Sequence, residues 1–146
     1  MQTQQEPIPL LPPTGNNTTT HPTEISVRIN QARDLKPSNF FSSTQSDAYC
    51  EIRLLGKREE PHTTRTVRGQ GINPTFNETF DLSLSPNSLS EVCSIVVKGH
   101  HILCCDEFLG RVEIPLSVIF SALQNEPSGV VTSWYKLLTV DPFLKK

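Results

Sequence analysis

Apolar and polar side chains alternate one by one along most of the chain from Glu24 onward. In the first such segment Ile25, Val27 and Ile29 share one parity, and the residues between them are polar. A period of two is typical of a β-strand with one buried and one exposed face, because successive side chains of a strand point to opposite sides. The dominant pattern therefore predicts an all-β protein.

Turn-rich stretches such as residues 36–39, 69–71 and 85–88 separate the segments that carry a strand pattern. The predicted strands are residues 24–30, 49–54, 63–68, 76–84, 92–98, 108–114 and 133–138. Their spacing predicts an antiparallel Greek-key β-sandwich of seven to eight strands. An eighth strand is hard to place, because the sequence ends soon after the segment that contains Trp134.

One segment follows a helical period instead. After Pro115, apolar residues recur at positions i, i+3, i+4 and i+7, namely Leu116, Ile119, Phe120 and Leu123. Proline is favoured at the start of a helix, and this repeat places the apolar side chains on one helix face. We therefore predict one short amphipathic helix that crosses an end of the sandwich.

Composition divides the 146 residues into one domain and two tails. Residues 1–23 are rich in Pro, Gln, Asn and Thr and have too few large apolar side chains to offset the entropy of ordering, so they are predicted to be a disordered tail. Residues 24–140 form the predicted domain, and residues 141–146 form a C-terminal tail. The length suits a single hydrophobic core.

The charge and the termini restrict the partners and the compartment. The net charge is −2 and the basic residues are dispersed, so nucleic acid is not an expected partner. The N-terminus lacks the basic and apolar segments of a signal peptide, which predicts a cytoplasmic protein. In a reducing compartment, the four cysteines are expected to be free thiols.

Five short motifs follow one another along the chain, and together they cover about residues 24 to 138. They are Ala32-Arg33-Asp34-Leu35, Ser46-Asp47-Ala48-Tyr49, Asn73-Pro74-Thr75-Phe76-Asn77-Glu78-Thr79-Phe80, Asp106-Glu107-Phe108-Leu109-Gly110 and Trp134-Tyr135-Lys136-Leu137. The sequence thus resembles the C2 family of calcium- and phospholipid-binding β-sandwiches. Glu78 shares the parity of Phe76 and Phe80, so it is predicted to brace a neighbouring loop rather than to act in catalysis.

The resemblance also implies where calcium would bind, in loops at one end of the sandwich. Asp47, Asp106 and Glu107 match residual acidic positions of those loops, but residues 39–45 contain no acid at all. Gly99 and His101 stand where the family has Asp. Calcium needs six to eight oxygen ligands, so the expected calcium site is non-functional and no cofactor is predicted.

The same resemblance places apolar pairs at the lipid-inserting loop tips. These are Phe40 and Phe41 in the first loop and Ile102 and Leu103 in the third. Arg65, Arg68 and Lys98 are candidate contacts to anionic lipid headgroups, provided that they share a face. Alternatively, the apolar tips fold back and cover the end of the sandwich.

Two functions remain open at this stage. The first is calcium-independent docking on anionic phospholipid as a peripheral membrane protein, and the alternative is a protein–protein adaptor that does not bind lipid. No nucleophile motif, phosphate loop or carboxylate pair appears, so neither an enzyme nor a small-molecule substrate is expected. His100, His101, Cys104 and Cys105 could hold zinc or copper, or remain surface histidines and free thiols.

Overall fold

A computed structural model describes residues 22–36, 47–102 and 105–140. Within these ranges the protein contains six strands and one α-helix. The strands are β1 (Glu24–Gln31), β2 (Asp47–Leu55), β3 (His62–Thr63), β4 (Thr75–Ser83), β5 (Val92–His100) and β6 (Glu107–Pro115), and the helix is α1 (Leu116–Gln124). A short 3-10 turn lies at Ser88–Ser90.

The strands form two antiparallel sheets that enclose one core. β1 pairs with β4, and the second sheet has the order β3-β2-β5-β6. The pairings of β1 with β4 and of β2 with β5 each join strands that are not consecutive in the chain, as in a Greek key. The predicted all-β antiparallel sandwich with one helix is therefore confirmed.

The core forms between the inner faces of the two sheets. Phe76 on β4 and Ile52 on β2 are fully buried, and Cys50, Leu54, Leu82 and Val97 pack in the same cluster. On β1 the predicted parity holds, since Ile29 is buried and Ile25 and Val27 are partly buried, whereas the residues between them are exposed.

The predicted helix begins directly after Pro115, which is its N-cap residue. Leu116 is fully buried, and Ile119 and Phe120 pack against the core, as the helical period predicts. Val118, on the opposite face of the helix, is exposed.

Two predicted strands are much shorter than the sequence pattern indicates. Of the strand predicted over residues 63–68, only Thr63 lies in a strand, the two-residue His62–Thr63, and a single bridge between Val67 and Ala48 follows. The ladder is interrupted because the Thr64 hydroxyl group accepts the backbone N–H of Cys50. Residues 133–138 make one bridge, from Leu138 to Arg111, so the prediction of a strand there was wrong.

Two motif residues join the segments around β4. Glu78 Oε1 accepts the backbone N–H of Arg65 at 3.0 Å, and the Arg65 guanidinium donates to the Phe76 carbonyl, so Glu78 braces the loop after β3 as its parity predicts. Asn73 Oδ1 accepts the backbone N–H of Asp34, after β1, at 3.0 Å.

Candidate functional site

The connections between strands bring the predicted site residues to one end of the sandwich. Asp47, at the start of β2, pairs with His100, at the end of β5. Residues 68–71 follow the bridge between Val67 and Ala48 at this same end. We call residues 68–71, 101–102 and 105–106 the loop end. Residues 37–46, which lead into β2, and residues 103–104 lie outside the described residues.

Asp106 is the carboxylate with most hydrogen-bond contacts at the loop end. Its Oδ2 accepts the Tyr49 hydroxyl group at 2.5 Å, and its Oδ1 accepts the backbone N–H of His101 at 3.2 Å. His100 Nδ1 lies 3.2 Å from the same Oδ1. The hydrogen bond from Tyr49, with smaller contributions from His101 and His100, holds the pKa of Asp106 below its ordinary value. Donors of this chain thus contact both carboxylate oxygens of Asp106.

Tyr49 orients this carboxylate from the face of β2 that it shares with Glu51. The residue is buried in β2, opposite Lys98, and burial, together with the hydrogen bond to Asp106, raises the pKa of its phenol. The phenol therefore stays protonated and available as a donor at neutral pH. Sequence analysis missed this role, because Tyr49 and Asp106 are 57 positions apart and no local pattern links them.

The other two residual acidic positions are held less closely. Glu107 Oε2 lies 3.6 Å from His101 Nε2, beyond hydrogen-bond distance, and this largely buried oxygen accepts no hydrogen bond from the described residues. Asp47 Oδ1 accepts the backbone N–H of Gly69 at 3.3 Å. The histidine that was predicted to replace an acidic ligand is therefore placed beside a retained acid.

Gly99 lies within β5 and is buried. It pairs with Ala48 on one side and Glu107 on the other. A Cβ atom at this position would lie 3.6 Å from Leu109 Cδ1, an ordinary contact with a core residue. The position offers no side-chain oxygen to a cation.

Only some of the predicted lipid-binding residues at the loop end lie within the described residues. Ile102 is 82% exposed at the loop end, and Arg68 is exposed in the loop after Val67. Phe40, Phe41 and Leu103 lie outside the described residues. Whether the apolar tips insert into lipid or cover the sandwich therefore stays a prediction.

The other two predicted basic contacts are already paired with carboxylates. Lys98 Nζ lies 2.9 Å from Glu51 Oε1, and Arg65 lies 3.7 Å from Glu78. Two-thirds of the Arg65 side chain remains exposed, whereas Lys98 is partly covered. Arg68 is engaged in no ion pair with any described residue, so it is the most available cation of the three.

The histidines and cysteines of the predicted metal cluster do not converge within the described residues. His100 and His101 face Asp106 and Glu107, and Cys105 is an exposed free thiol, while Cys104 lies outside the described ranges. Across residues 22–36, 47–102 and 105–140, no group of three His, Cys, Asp or Glu could hold a metal ion. Cys50 and Cys93 are buried free thiols, and burial raises their pKa values to about 12 and about 11.

The sequence-family model for the C2 domain matches residues 23–137, which is most of the sequence. The chain belongs to the C2 domain family. The matched range includes Asp47, Asp106 and Glu107.

Relatives among known proteins share this domain within much longer chains. The sequence is 29% identical over 127 residues to the protein kinase C eye isozyme of Drosophila melanogaster, covering 86% of this chain and 16% of that protein. It is 25% identical over 109 residues to the 1-phosphatidylinositol 4,5-bisphosphate phosphodiesterase zeta-1 of Sus scrofa, covering 73% of this chain and 17% of that protein. Human synaptotagmin-3 is 41% identical over 70 residues, covering 47% of this chain and 11% of that protein.

Solved structures agree on the fold. The C2 domain designated A of plant extended synaptotagmin 1 superposes with a TM-score of 0.58 at 19% identity, covering 65% of this chain and 70% of that one. The C2 domain designated A of RIM from Drosophila superposes with a TM-score of 0.58 at 21% identity, covering 65% of this chain and 76% of that one. Within the described residues no helix is both long and apolar enough to cross a membrane.

Proposed function

We propose that this C2 domain docks on anionic phospholipid membrane without calcium and has no catalytic activity of its own. The observation that carries the proposal is that acidic side chains at this end of the sandwich contact their own chain while an apolar side chain is exposed. Asp106 and Asp47 already accept hydrogen bonds from the same chain, and Glu107 lies beside His101, while Ile102 is exposed to solvent. A calcium ion would have to displace these internal donors, whereas apolar insertion leaves them in place.

The energetics of docking rest on apolar side chains and on few charges. Full burial of a large apolar side chain contributes about 1.5–3 kcal/mol, so half-burial of Phe40, Phe41, Ile102 and Leu103 would contribute roughly 3–6 kcal/mol. A basic residue near an anionic surface adds about 1 kcal/mol. Arg68 is the best placed for this role, since Lys98 and Arg65 each face an acid.

Sedimentation with liposomes tests the proposal directly. Wild-type protein should bind liposomes that contain anionic lipid in the presence of EDTA, and the quadruple serine variant of Phe40, Phe41, Ile102 and Leu103 should lose that binding. Its melting temperature should stay close to that of wild type, because exposed apolar groups contribute little to the core. A variant that loses several kcal/mol of stability would show instead that the tips cover the sandwich.

A protein-interaction module is the second candidate function. The ion pairs of Lys98 and Arg65 favour it, because they reduce the positive charge that the surface can offer to lipid headgroups. Wild-type protein that fails to sediment with anionic liposomes at low salt would support this second function over the first. Raised salt should weaken contacts of Arg68 more than apolar insertion.

A further inference from the structure

The side chain of Asp106 connects the two sides of the loop that carries Ile102. The backbone ladder between β5 and β6 reaches the pair of Gly99 and Glu107. Beyond that pair, Asp106 Oδ1 accepts the backbone N–H of His101 at 3.2 Å. His101 directly precedes Ile102, and Asp106 directly precedes β6, so this hydrogen bond spans the loop at its base. Ile102 lies within the span and is 82% exposed.

Tyr49 fixes the other oxygen of the same carboxylate. Its hydroxyl group donates to Asp106 Oδ2 at 2.5 Å. Tyr49 lies on β2, which has a hydrogen-bonded strand on each side, and strands inside a sheet belong to the most stable part of a fold. A carboxylate held at both oxygens cannot turn freely. A continuous path of hydrogen bonds therefore runs from the four-stranded sheet through Asp106 to the backbone beside Ile102.

Tyr49 makes this connection from outside the hydrophobic core. It is buried, yet the core cluster contains its neighbours Ala48 and Cys50 and not Tyr49 itself. On the outer face of the sheet it lies opposite Lys98. Loss of the Tyr49 hydroxyl group would therefore leave the contacts of the core in place and remove a connection to the loop.

We infer that Asp106 and Tyr49 are positioning residues for membrane docking, which hold the loop in the conformation that presents Ile102 to an anionic phospholipid membrane. The inference rests on the docking function proposed above and deepens it. A loop that is ordered before binding has already lost the conformational entropy that binding would otherwise cost, so pre-organisation strengthens docking. Neither residue needs to touch lipid itself.

The charge of Asp106 makes a positioning role distinguishable from an electrostatic one. The negative surface of an anionic membrane repels a carboxylate, so removal of the charge alone should strengthen docking. Removal of the hydrogen bonds should weaken it. Asp106→Ala removes both. Asp106→Asn removes only the charge, because its amide keeps an oxygen for the His101 N–H and an NH2 group that can donate to the Tyr49 hydroxyl oxygen.

Sedimentation of the full chain with liposomes of phosphatidylcholine and phosphatidylserine in EDTA compares the two variants. Asp106→Ala should bind about fivefold or more weakly than Asp106→Asn, because its loop must be ordered on binding. Asp106→Asn should bind at least as tightly as wild type. Both variants have the same charge, so charge cannot cause the difference. Equal binding by the two variants would overturn the inference.

Tyr49→Phe tests the same path from the sheet. It keeps the aromatic ring and the charge of Asp106, and it should bind about fivefold or more weakly than wild type. Tyr135→Phe, at an exposed tyrosine, is the matched control and should bind as wild type does. In a double-mutant cycle with Ile102→Ser, most of the effect of Tyr49→Phe should disappear. An effect of unchanged size would contradict the inference, since it would not act through Ile102.

The free protein provides a readout that does not depend on lipid. The backbone amide of Ile102 should have a lower NMR order parameter in Asp106→Ala and in Tyr49→Phe than in wild type, and an unchanged one in Asp106→Asn. Melting temperatures identify any variant that fails to fold. An Ile102 amide with the same order parameter in wild type and in the folded variants would overturn the positioning role.

Failure of the inference and failure of the docking function give different results. If wild type does not sediment with these liposomes in EDTA, the docking function is wrong and the positioning role is rejected with it. If wild type sediments and Ile102→Ser weakens its binding, the docking function stands. Equal binding by Asp106→Ala and Asp106→Asn would then reject the positioning role alone.

Discussion

The hydroxyl group of Tyr49 donates a hydrogen bond of 2.5 Å to Asp106, which joins the start of β2 to the loop that precedes β6. Asp106 is thereby oriented by a buried phenol rather than left free to turn toward a cation. His100 and the backbone of His101 contact the other carboxylate oxygen. This internal pairing, together with the lack of a carboxylate at Gly99, supports the proposed calcium independence.

Millimolar calcium should change neither the melting temperature nor the liposome binding of this protein. A ligand that binds only the folded state must raise its stability, so an unchanged melting temperature reports the absence of binding. Calorimetry with calcium, and with magnesium at the same concentration as an ionic control, measures this. A rise in melting temperature specific to calcium would show that Asp47, Asp106 and Glu107 still form a working site.

Replacement of Tyr49 by Phe should raise the pKa of Asp106, because the hydrogen bond that lowers it most is removed. A carboxyl group with a depressed folded-state pKa stabilises the fold above its unfolded value and loses that contribution as the pH falls through the folded value. Wild type should therefore exceed the variant in stability above pH 3.8, and the difference should shrink at lower pH. NMR titration of the Asp106 carboxyl carbon measures the pKa directly.

At alkaline pH the stability of Tyr49→Phe relative to wild type should change in the opposite direction. Burial raises the pKa of Tyr49 above the ordinary 10.0, so unfolding releases a proton once the pH exceeds that value. Wild type should lose stability above pH 10, and Tyr49→Phe should be spared that loss. Tyr135→Phe, at an exposed tyrosine, provides the matched control and should follow wild type at both extremes. Identical acid and alkaline profiles for Tyr49→Phe and wild type would contradict the assignment.

Removal of the Glu78 carboxylate should loosen the loop after β3. Glu78→Ala leaves the Arg65 N–H without its acceptor and should cost about 1–2 kcal/mol of the free energy of unfolding. Glu78→Gln retains an acceptor oxygen and should cost much less, because the ion pair with the exposed Arg65 side chain contributes little. Urea unfolding compares the two, and equal losses would mean that the charge rather than the hydrogen bond matters.

Much of the fold could be predicted from the sequence because its determinants are local. The period of two along β1, β2 and β4, and the helical repeat after Pro115, depend on neighbouring residues alone. Residues 133–138 carry a strand pattern too, but a strand also needs a partner. Trp134 and Tyr135 remain exposed, and among residues 133–138 only Leu138 pairs with β6 through its backbone.

The site was less predictable, because its contacts join distant parts of the chain. The sequence identified Asp106 and His101 but not that Tyr49 orients the acid or that His101 lies beside Glu107. Lys98 and Arg65 were predicted as headgroup contacts from their charge alone, yet their partners Glu51 and Glu78 are set by strand register and loop geometry. Charge is visible in a sequence, whereas its neutralisation by a partner depends on tertiary structure.

Gly110→Ala should destabilise the domain by about 1–3 kcal/mol, because overpacking forces side chains or backbone to move. A Cβ atom at Gly110 would lie 2.9 Å from Leu137 Cβ, closer than unbonded carbon atoms approach, so the segment after Trp134 would have to shift away from β6. Gly99→Ala is the matched control in the neighbouring strand, since its nearest contact would be an ordinary 3.6 Å. Thermal unfolding of both variants, followed with Trp134 fluorescence, measures the cost and the shift together. A Gly110→Ala protein as stable as Gly99→Ala would show that residues 134–138 do not pack on β6 in solution.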